Sequence, residues 1–430
     1  MSSPTAAAPD LRALKLVLTA GCNLRCSYCY QSDKKNLRID WDIVQAALDR
    51  LLASPRSDVQ LLFIGGEPLL EFPTIERAMA YVAAHKRADM TVRPSIITNG
   101  MLLGERETAF LVAHRFLVQL SFDGLPPAQR LRGQHTFEKL DALLDSLRNR
   151  HPGFYEHHLR VNITFMPGTL AYLADSVDYF LFEKRVQNLT LTPQMTTAAD
   201  WHPERIAELE QAFARMFRSS LRRYRETGDV PLETFRKTEP QRSRRPKEIA
   251  MCGVSRGDQL AVDVDGRTQG CLMFVESYQV FPTTFLRSRI EALRLGDIRD
   301  AALDERLARY PQTVREQEIF HHKELKYSSY GRCGECRYLA DCSVCPMSIG
   351  RVEGESDPHR VPDFSCAYNL VSLKYRARFP RLRDVTELLA PTRRGSIWDL
   401  LAGRTGRKRN RVKARSRPRT RRARASQNRG

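Results

Sequence analysis

The stretch Leu16-Val-Leu-Thr-Ala-Gly-Cys-Asn-Leu-Arg-Cys-Ser-Tyr-Cys-Tyr30 carries the most informative pattern in this chain of 430 residues. Residues 14–19, which overlap its apolar beginning, are predicted to form a buried β-strand. This strand leads into a loop with three cysteines, Cys22, Cys26 and Cys29. Thiolates are soft ligands suited to iron–sulfur clusters. Three of them would leave one iron of a four-iron cube open to a small molecule. Zinc is the alternative metal, although its structural sites normally have four protein ligands.

Strand-like and helix-like patterns alternate six times along the first half of the chain. The predicted strands cover residues 14–19, 59–64, 91–97, 116–122, 158–165 and 188–192. The predicted helices cover about residues 40–52, 74–84, 105–114, 136–147, 170–182 and 203–224. This alternation predicts a parallel sheet with helices outside it. A closed eight-strand barrel would need two more units, so we expect an α/β fold with a partial (β/α)6 TIM-like barrel.

Most of the other candidate site residues follow the predicted strands, and Asn162 lies on the fifth strand itself. In a parallel strand–helix fold, sites form at the carboxyl ends of the strands, and glycines there let the backbone approach a ligand closely. Each candidate also has an ordinary structural role open to it, as a plain loop, a solvated arginine or polar filling of the core. In chain order the candidates are Gly65, Gly66, Glu67, Pro68, Thr98, Asn99, Ser121, Asp123, Arg130 or Arg132, Asn162 and Gln194.

The three cysteines are separated by three and then two residues, with the aromatic Tyr28 just before Cys29. This spacing resembles the signature of the radical S-adenosylmethionine (radical SAM) enzymes. The resemblance implies the partial barrel and a 4Fe–4S cluster whose open iron binds SAM. It also implies that the Gly-Gly-Glu-Pro turn receives the amino group of SAM and that the candidates after strands three and four lie near its ribose and carboxylate. Arg132, or Arg130, would pair with that carboxylate through two parallel hydrogen bonds.

The radical SAM resemblance also implies a reaction. A reduced cluster passes one electron into the sulfonium of SAM, which yields methionine and a 5′-deoxyadenosyl radical that removes hydrogen from the substrate. The cofactors carry the difficult chemistry, and the protein positions and shields them. We expect a reductant such as flavodoxin or ferredoxin as a partner. The sequence identifies no catalytic residue beyond the cofactor contacts.

The other seven cysteines lie after residue 251, where the predicted strands become short; they are Cys252, Cys271, Cys333, Cys336, Cys342, Cys345 and Cys366. Their spacing, with Gly266 before Cys271, resembles the SPASM domain that follows the radical SAM barrel in peptide-modifying enzymes. One interval departs from that pattern, because two residues rather than three separate Cys342 and Cys345. We therefore expect the barrel at residues 12–225, a linker at 226–250 and a SPASM auxiliary-cluster domain at 251–380.

The SPASM resemblance implies two auxiliary 4Fe–4S clusters. One would be held by Cys333, Cys336, Cys342 and Cys366. The other would be held by Cys252, Cys271 and Cys345, with either Asp258 as a fourth ligand or an open iron. The alternative is a pair of zinc ribbons, because Cys-x-x-Cys pairs also occur in zinc sites.

The formal net charge of +19 comes mainly from the end of the chain. Residues 404–429 contain 13 Lys or Arg and no Asp or Glu, so the rest of the chain has a net charge of only +6. We expect the basic tail, residues 391–430, to be disordered. It either contacts an anionic partner, such as a nucleic acid, an anionic surface or an acidic leader peptide, or has no function. No secretory signal and no apolar stretch of membrane-spanning length are present, so with ten cysteines we expect a cytoplasmic protein that binds metal.

These features together predict an enzyme that modifies a peptide or protein. The resemblance covers about residues 14–375 and favours a thioether or carbon–carbon crosslink in a ribosomally made peptide. Formylglycine formation, as in the anaerobic sulfatase maturases, is the second candidate. Those enzymes place an Asp directly after the second SPASM cysteine, whereas this chain has Leu272. The alternative from another class is a zinc-ribbon protein that binds nucleic acid.

Overall fold

The computed structural model describes residues 10–29, 31, 34–194, 196, 200–236, 253–278, 284–320, 322–345, 348–349 and 356–379. Three predicted features lie wholly or mostly outside these ranges: Cys252, the linker at residues 226–250 and the basic tail at residues 391–430. The interpretations given to them therefore stay predictions.

The described strands of the first half form a parallel sheet. Strands β1 to β6 pair in sequence order and all run in one direction. This arrangement confirms the predicted α/β fold with six parallel strands. Their bounds are β1 Ala13–Val17, β2 Asp58–Ile64, β3 Thr91–Thr98, β4 Leu117–Ser121, β5 Leu159–Phe165 and β6 Leu189–Pro193.

Helices connect these strands and cover the sheet. In α1, the buried side chains recur at helical spacing, so one face of the helix packs into the core. Two short helices, α4 and α6, were not predicted, and each has a proline at its start, where a missing N–H costs no hydrogen bond. The helices are α1 Trp41–Leu52, α2 Phe72–His85, α3 Glu105–Ala113, α4 Pro126–Gln129, α5 Thr136–Arg150, α6 Pro152–His158, α7 Leu170–Asp178 and α8 Pro203–Thr227.

The sheet continues into the second half of the chain. Strand β7, Gln259–Val262, pairs in parallel with β1, so that Ala13 lies opposite Gln259 and Leu16 opposite Val262. Strands β8, Arg267–Gln269, and β9, Arg294–Asp297, then add in antiparallel fashion. These strands cover the edge of β1, which would otherwise present unpaired backbone groups.

The remaining elements bring the later cysteines against the barrel. They are α9 Thr284–Glu291, α10 Leu303–Arg315, the hairpin β10 Tyr327–Ser328 with β11 Gly331–Arg332, and α11 Asp363–Arg378. Helix α11 packs on α8, where the rings of Phe217 and Tyr375 lie 5.6 Å apart. Among the described helices, none has both the length and the hydropathy to cross a membrane.

Candidate functional site

The three cysteines of the opening motif occupy one loop directly after β1. Cys22, Cys26 and Cys29 are all partly exposed. Burial raises the pKa of Cys26, the charge of Arg132 opposes this, and the charges of Cys29 and Cys22 raise the pKa further. Cys29 N donates to Cys26 O at 3.1 Å, so the loop is tightly turned.

The Gly-Gly-Glu turn packs directly against the start of this cysteine loop. Gly66 N donates to Thr19 O at 2.8 Å, and Glu67 N donates to Gly21 O at 2.9 Å. A Cβ atom on Gly66 would lie 2.0 Å from Gly21 O, and one on Gly65 would lie 2.5 Å from Thr19 O. The structure thus explains both glycines by the close approach of two loops. The prediction that they admit a ligand is not needed to account for them.

Glu67 joins the turn to the loop after β3. Its carboxylate accepts hydrogen bonds from Thr98 Oγ1 at 2.7 Å, from Asn99 N at 2.8 Å and from Leu69 N at 3.1 Å. Burial raises the pKa of Glu67 to about 7, although these three hydrogen bonds lower it. Pro68 follows as the first residue of a short 3₁₀ helix. The Glu67 side chain therefore positions two loops, and it faces away from solvent.

Asn99 connects the same loop to the cysteines. Its side-chain Nδ2 donates to Asn23 Oδ1 at 2.8 Å and lies 3.7 Å from Cys22 Sγ. Asn23 is not among the predicted site residues. It directly follows Cys22 within the cysteine motif, and this position could have identified it. The predicted residues Thr98 and Asn99 thus lie beside the cysteine loop.

A second network centres on Asp123, after β4. Asp123 Oδ1 accepts from Arg132 Nη2 and from Thr164 N, both at 2.8 Å, and Asp123 Oδ2 accepts from the hydroxyl of Tyr28. Burial raises the pKa of Tyr28, and the charge of Arg132 only partly offsets this. Since Tyr28 lies between Cys26 and Cys29, Asp123 couples the cysteine loop to the ends of β4 and β5.

The structure separates the two candidate arginines. Arg132 is 7% exposed, and its Nε has no hydrogen-bond partner among the described residues. Its guanidinium lies 5.4 Å from the centre of the Tyr28 ring. Arg130 is exposed and borders an open groove of about 330 Å³ lined by residues of the 126–138 segment. Of the two, Arg132 is the buried donor, and its pairing with a carboxylate stays a prediction.

The remaining candidates of the barrel lie at the ends of β4 to β6. Ser121 is half-buried and pairs in the sheet with Asn162. Asn162 Oδ1 accepts from Thr192 Oγ1 at 2.8 Å, and Asn162 Nδ2 donates to Thr164 Oγ1 at 3.4 Å. Gln194 N donates to Phe165 O at 2.8 Å. These residues share the carboxyl edge of the sheet with Asp123.

A tyrosine from the second half also reaches this edge. The hydroxyl of Tyr278 donates to Gly65 O at 3.1 Å, although the two residues are 213 positions apart in the sequence. The segment before it is held by Asp263, whose Oδ2 accepts from Ser277 N at 2.9 Å. No local pattern in the sequence marks Tyr278 as a neighbour of the Gly-Gly-Glu turn.

Four later cysteines surround one cavity of about 60 Å³. Cys333 and Cys336 flank a tight turn, Cys342 follows it, and Cys366 lies in the first turns of α11. Burial raises the pKa of Cys342 to about 12 and that of Cys366 to about 11, so each thiol needs a positive group or a metal to ionise at neutral pH. The four residues predicted to hold one auxiliary cluster thus line the same cavity, and their role as its ligands stays a prediction.

The other predicted ligand set is described only in part. Cys252 lies outside the described residues, Cys271 follows β8 and is partly buried, and Cys345 is exposed. Throughout the described ranges, the two more fully described cysteine sets included, no three His, Cys, Asp or Glu side chains are grouped closely enough to hold a single metal ion. A four-iron cluster differs from a single ion because its thiolates bind separate irons. The grouping of Cys271 with Cys345 stays a prediction.

Asp258, which was considered above as a fourth cluster ligand, forms an ion pair with Arg12 in the structure. Its two carboxylate oxygens accept from Arg12 Nε at 2.9 Å and from Arg12 Nη2 at 3.1 Å. Burial raises the pKa of Asp258, but the hydrogen bonds and charge of Arg12, together with the charge of Arg256, outweigh this and lower the pKa overall. The ion pair joins the residue before β1 to the residue before β7, and it engages both oxygens of the carboxylate.

Comparison with known proteins finds a family match in the first half of the chain. Residues 16–180 match the family model described as the radical SAM superfamily. A cysteine-type anaerobic sulfatase-maturating enzyme of Clostridium perfringens is 32% identical over 148 residues, which are 31% of this chain and 40% of that enzyme. The alignment thus spans about two fifths of the length of the first curated relatives.

Two solved structures are similar over most of the chain. One, described as native anSMEcpe with bound AdoMet, has a TM-score of 0.65 at 20% identity and covers 87% of this chain and 99% of that chain. The other, Streptococcus suis SuiB bound to the precursor peptide SuiA, has a TM-score of 0.53 at 14% identity and covers 83% of this chain and 76% of that chain. At these identities the similarity establishes the fold, which extends beyond the six-strand unit into the second half.

Proposed function

We propose that this chain, whose residues 16–180 match the radical SAM family model, binds SAM at the open iron of a 4Fe–4S cluster and modifies a side chain of a peptide or protein. One observation carries the proposal. The three cysteines of the matched domain lie on the loop after β1, which is hydrogen-bonded to the Gly-Gly-Glu turn at the carboxyl edge of the sheet. Parallel strand–helix folds place their active sites at that edge.

The donor set fits the proposed cluster. Cys22, Cys26 and Cys29 supply three soft thiolates on one tight loop, and Cys26 interacts electrostatically with the other two. Burial raises the pKa of Cys26, and the charge of Arg132 opposes this and so favours the thiolate. Thiolates rather than thiols bind metals, and Arg132 is therefore expected to support cluster binding as well as cofactor contact.

The buried arginine fits an anionic partner. Arg132 uses Nη2 to bind Asp123, and its Nε is a buried donor without a hydrogen-bond partner among the described residues. A buried donor without an acceptor is costly, so a carboxylate placed beside Nε would be bound favourably. Asp123 and Tyr28 hold the guanidinium in place. We therefore assign Arg132 to the carboxylate of SAM, Glu67 to positioning the two adjacent loops, and Asn99 to positioning the cysteine loop.

The chemistry belongs to the bound cofactors. When bound and reduced, the cluster and SAM supply a 5′-deoxyadenosyl radical that abstracts hydrogen from the substrate. The protein contributes orientation and exclusion of water, because Glu67, Thr98, Asp123 and Arg132 are all less than 9% exposed. A peptide substrate is supported by the peptide-bound states of both similar structures, SuiB with its precursor peptide and anSMEcpe with a Cp18Cys peptide.

One residue favours a crosslink over formylglycine formation. Leu272 directly follows Cys271, where the resemblance to sulfatase maturases would require an Asp. Its side chain is buried and packs in a small apolar cluster with Val275 and Tyr278. An apolar side chain cannot accept a proton, so we propose thioether or carbon–carbon bond formation, with formylglycine formation as the second candidate.

Metal analysis of anaerobically purified protein tests the proposal against the zinc-ribbon alternative. Three clusters predict about twelve irons per chain with matching acid-labile sulfide. A matched variant with alanine at Cys22, Cys26 and Cys29 should lose about four irons and keep the others. Zinc without labile sulfide would overturn the proposal.

A second experiment tests the substrate class. A peptide encoded beside this gene should lose two hydrogens on incubation with this protein, SAM and dithionite, as each crosslink requires. An unchanged peptide mass would contradict the peptide assignment.

A further inference from the structure

The cavity lined by four cysteines also contains charged and polar side chains that the proposed function does not use. Lys323 is 5% exposed and Ser328 is 7% exposed, and both line the cavity together with Cys333, Cys342 and Cys366. A buried ammonium is costly unless an opposite charge is near. Four thiolates around the cavity would supply that charge.

Lys323 is held against the cysteine turn by the backbone. Cys333 N donates to Lys326 O at 2.8 Å, and a Cβ atom on Gly334 would lie 2.8 Å from Glu324 O. The segment 323–326 therefore packs directly on the turn that carries Cys333 and Cys336. Lys323 lines the same cavity as Cys342, Cys333 and Cys336, which places its side chain on the cysteine side of the segment.

Ser328 makes a direct contact with the fourth cysteine. Its hydroxyl donates to Cys366 Sγ at 3.1 Å, and Tyr330 N donates to Ser328 Oγ at 3.1 Å, which fixes the hydroxyl in position. Hydrogen bonds to the cysteine sulfurs and nearby charge are two of the factors that set the reduction potential of an iron–sulfur cluster.

We propose that Lys323 and Ser328 raise the reduction potential of the cluster held by Cys333, Cys336, Cys342 and Cys366, so that this centre is more easily reduced than its thiolates alone would allow. The inference rests on the proposed function, since it needs a 4Fe–4S cluster at this site. Adding an electron makes the cluster more negative, and a fixed ammonium stabilises the reduced state more than the oxidised state. Lys323 and Ser328 thus act on the cluster through charge and a hydrogen bond, without being ligands themselves.

A redox titration of the full-length protein tests this inference. The parent for this titration carries alanine at the six cysteines assigned to the other two clusters, so that only the four-cysteine centre can assemble. The paramagnetic signal of its reduced state is then recorded as a function of the applied potential. Lys323→Met, which removes the charge, should shift the midpoint to a more negative value, and Ser328→Ala should shift it in the same direction by less. Lys323→Arg, which keeps the charge, should stay near the parent.

The matched control is Arg337→Gln. Arg337 lies in the same cysteine segment, but it is exposed and stacks on Tyr338 at 4.7 Å, so water screens its charge. Its loss should leave the midpoint unchanged. A Lys323→Met midpoint no lower than that of Arg337→Gln would overturn the inference while leaving the proposed function intact.

Two further outcomes are decisive. If Lys323→Met fails to assemble the cluster, Lys323→Gln is measured in its place, and loss of the cluster in both variants would show a structural role and overturn the tuning role. If the parent protein holds no iron–sulfur signal at this site, the proposed auxiliary cluster is wrong, and the inference falls with it.

Discussion

Arg132 Nη2 donates to Asp123 Oδ1 at 2.8 Å, and the two side chains are 8% and 1% exposed. This buried ion pair lies beside the cysteine loop, because Asp123 also accepts a hydrogen bond from Tyr28. Breaking one partner of such a pair leaves the other charge buried and alone, which is far more costly than breaking a surface pair. The pair therefore links the stability of the barrel to the geometry of the proposed SAM site.

Asp123→Asn should destabilise the chain by about 3 kcal/mol and weaken SAM binding, because Arg132 would lose its buried counter-ion. Anaerobic urea unfolding measures the first effect, and equilibrium binding of SAM measures the second. Asp58→Asn is the matched control: its pair with Arg93 has a similar distance of 2.7 Å but is exposed, so the cost should be below about 1 kcal/mol. An equal loss in the free energy of unfolding for the two variants would show that burial does not strengthen the Asp123 pair.

Gly66→Ala should displace the Gly-Gly-Glu turn from the cysteine loop. The added Cβ would lie 2.0 Å from Gly21 O, and a backbone atom cannot move aside as a flexible side chain can. We expect a loss of about 2 kcal/mol in stability, typical of overpacking, together with impaired cluster assembly, measured by iron content. Gly168→Ala, where a Cβ would meet nothing within 4 Å, serves as control. Normal iron content in Gly66→Ala would contradict the close packing described here.

Glu67 should give the barrel a specific pH dependence. Burial raises its pKa from 4.5 to about 7, so the folded chain holds a proton that the unfolded chain releases between these values. Stability should therefore fall as pH rises from about 4.5 to about 7, by roughly 3 kcal/mol, and then become level. Glu67→Gln should remove this component from unfolding curves recorded between pH 5 and 8. Parallel pH profiles for the two proteins would show that the carboxyl titrates normally.

Asp258→Asn should leave the auxiliary iron–sulfur spectrum unchanged, since both oxygens of Asp258 bind Arg12. It should still destabilise the chain by about 3 kcal/mol at pH 7. Because Arg12 lowers the pKa of Asp258, the native pair loses its contribution as pH falls below the ordinary value of 3.8. The difference between variant and parent should shrink in that range. A changed spectrum of the auxiliary iron would instead restore Asp258 as a ligand.

Short-range patterns in the sequence predicted much of this architecture. The alternation of apolar and amphipathic segments is sufficient to predict six parallel strands, because each strand–helix unit is formed by residues close together in the sequence. The resemblance to the SPASM domain likewise implied the four residues that share the cavity, although Cys333 and Cys366 belong to different elements.

Long-range pairing was not predictable in the same way. Nothing in the residues of β7 specifies β1 as its neighbour, because many apolar edges could accept that strand. The contact of Tyr278 with Gly65 depends on this pairing and was missed for the same reason. Arg130 and Arg132 are two positions apart in one short segment, and only the fold shows that Arg132 is the buried one.

SAM cleavage at the cysteine loop is tested most directly by the products that dithionite-reduced protein forms from SAM under anaerobic conditions. We expect equal amounts of 5′-deoxyadenosine and methionine from the parent chain, none from Cys26→Ala, and continued formation by Cys342→Ala, whose cysteine is assigned to an auxiliary cluster. Because Cys342→Ala removes one thiol just as Cys26→Ala does, it controls for general damage. If the fully iron-loaded parent chain yields neither product, the chain does not use its cysteine loop to cleave SAM.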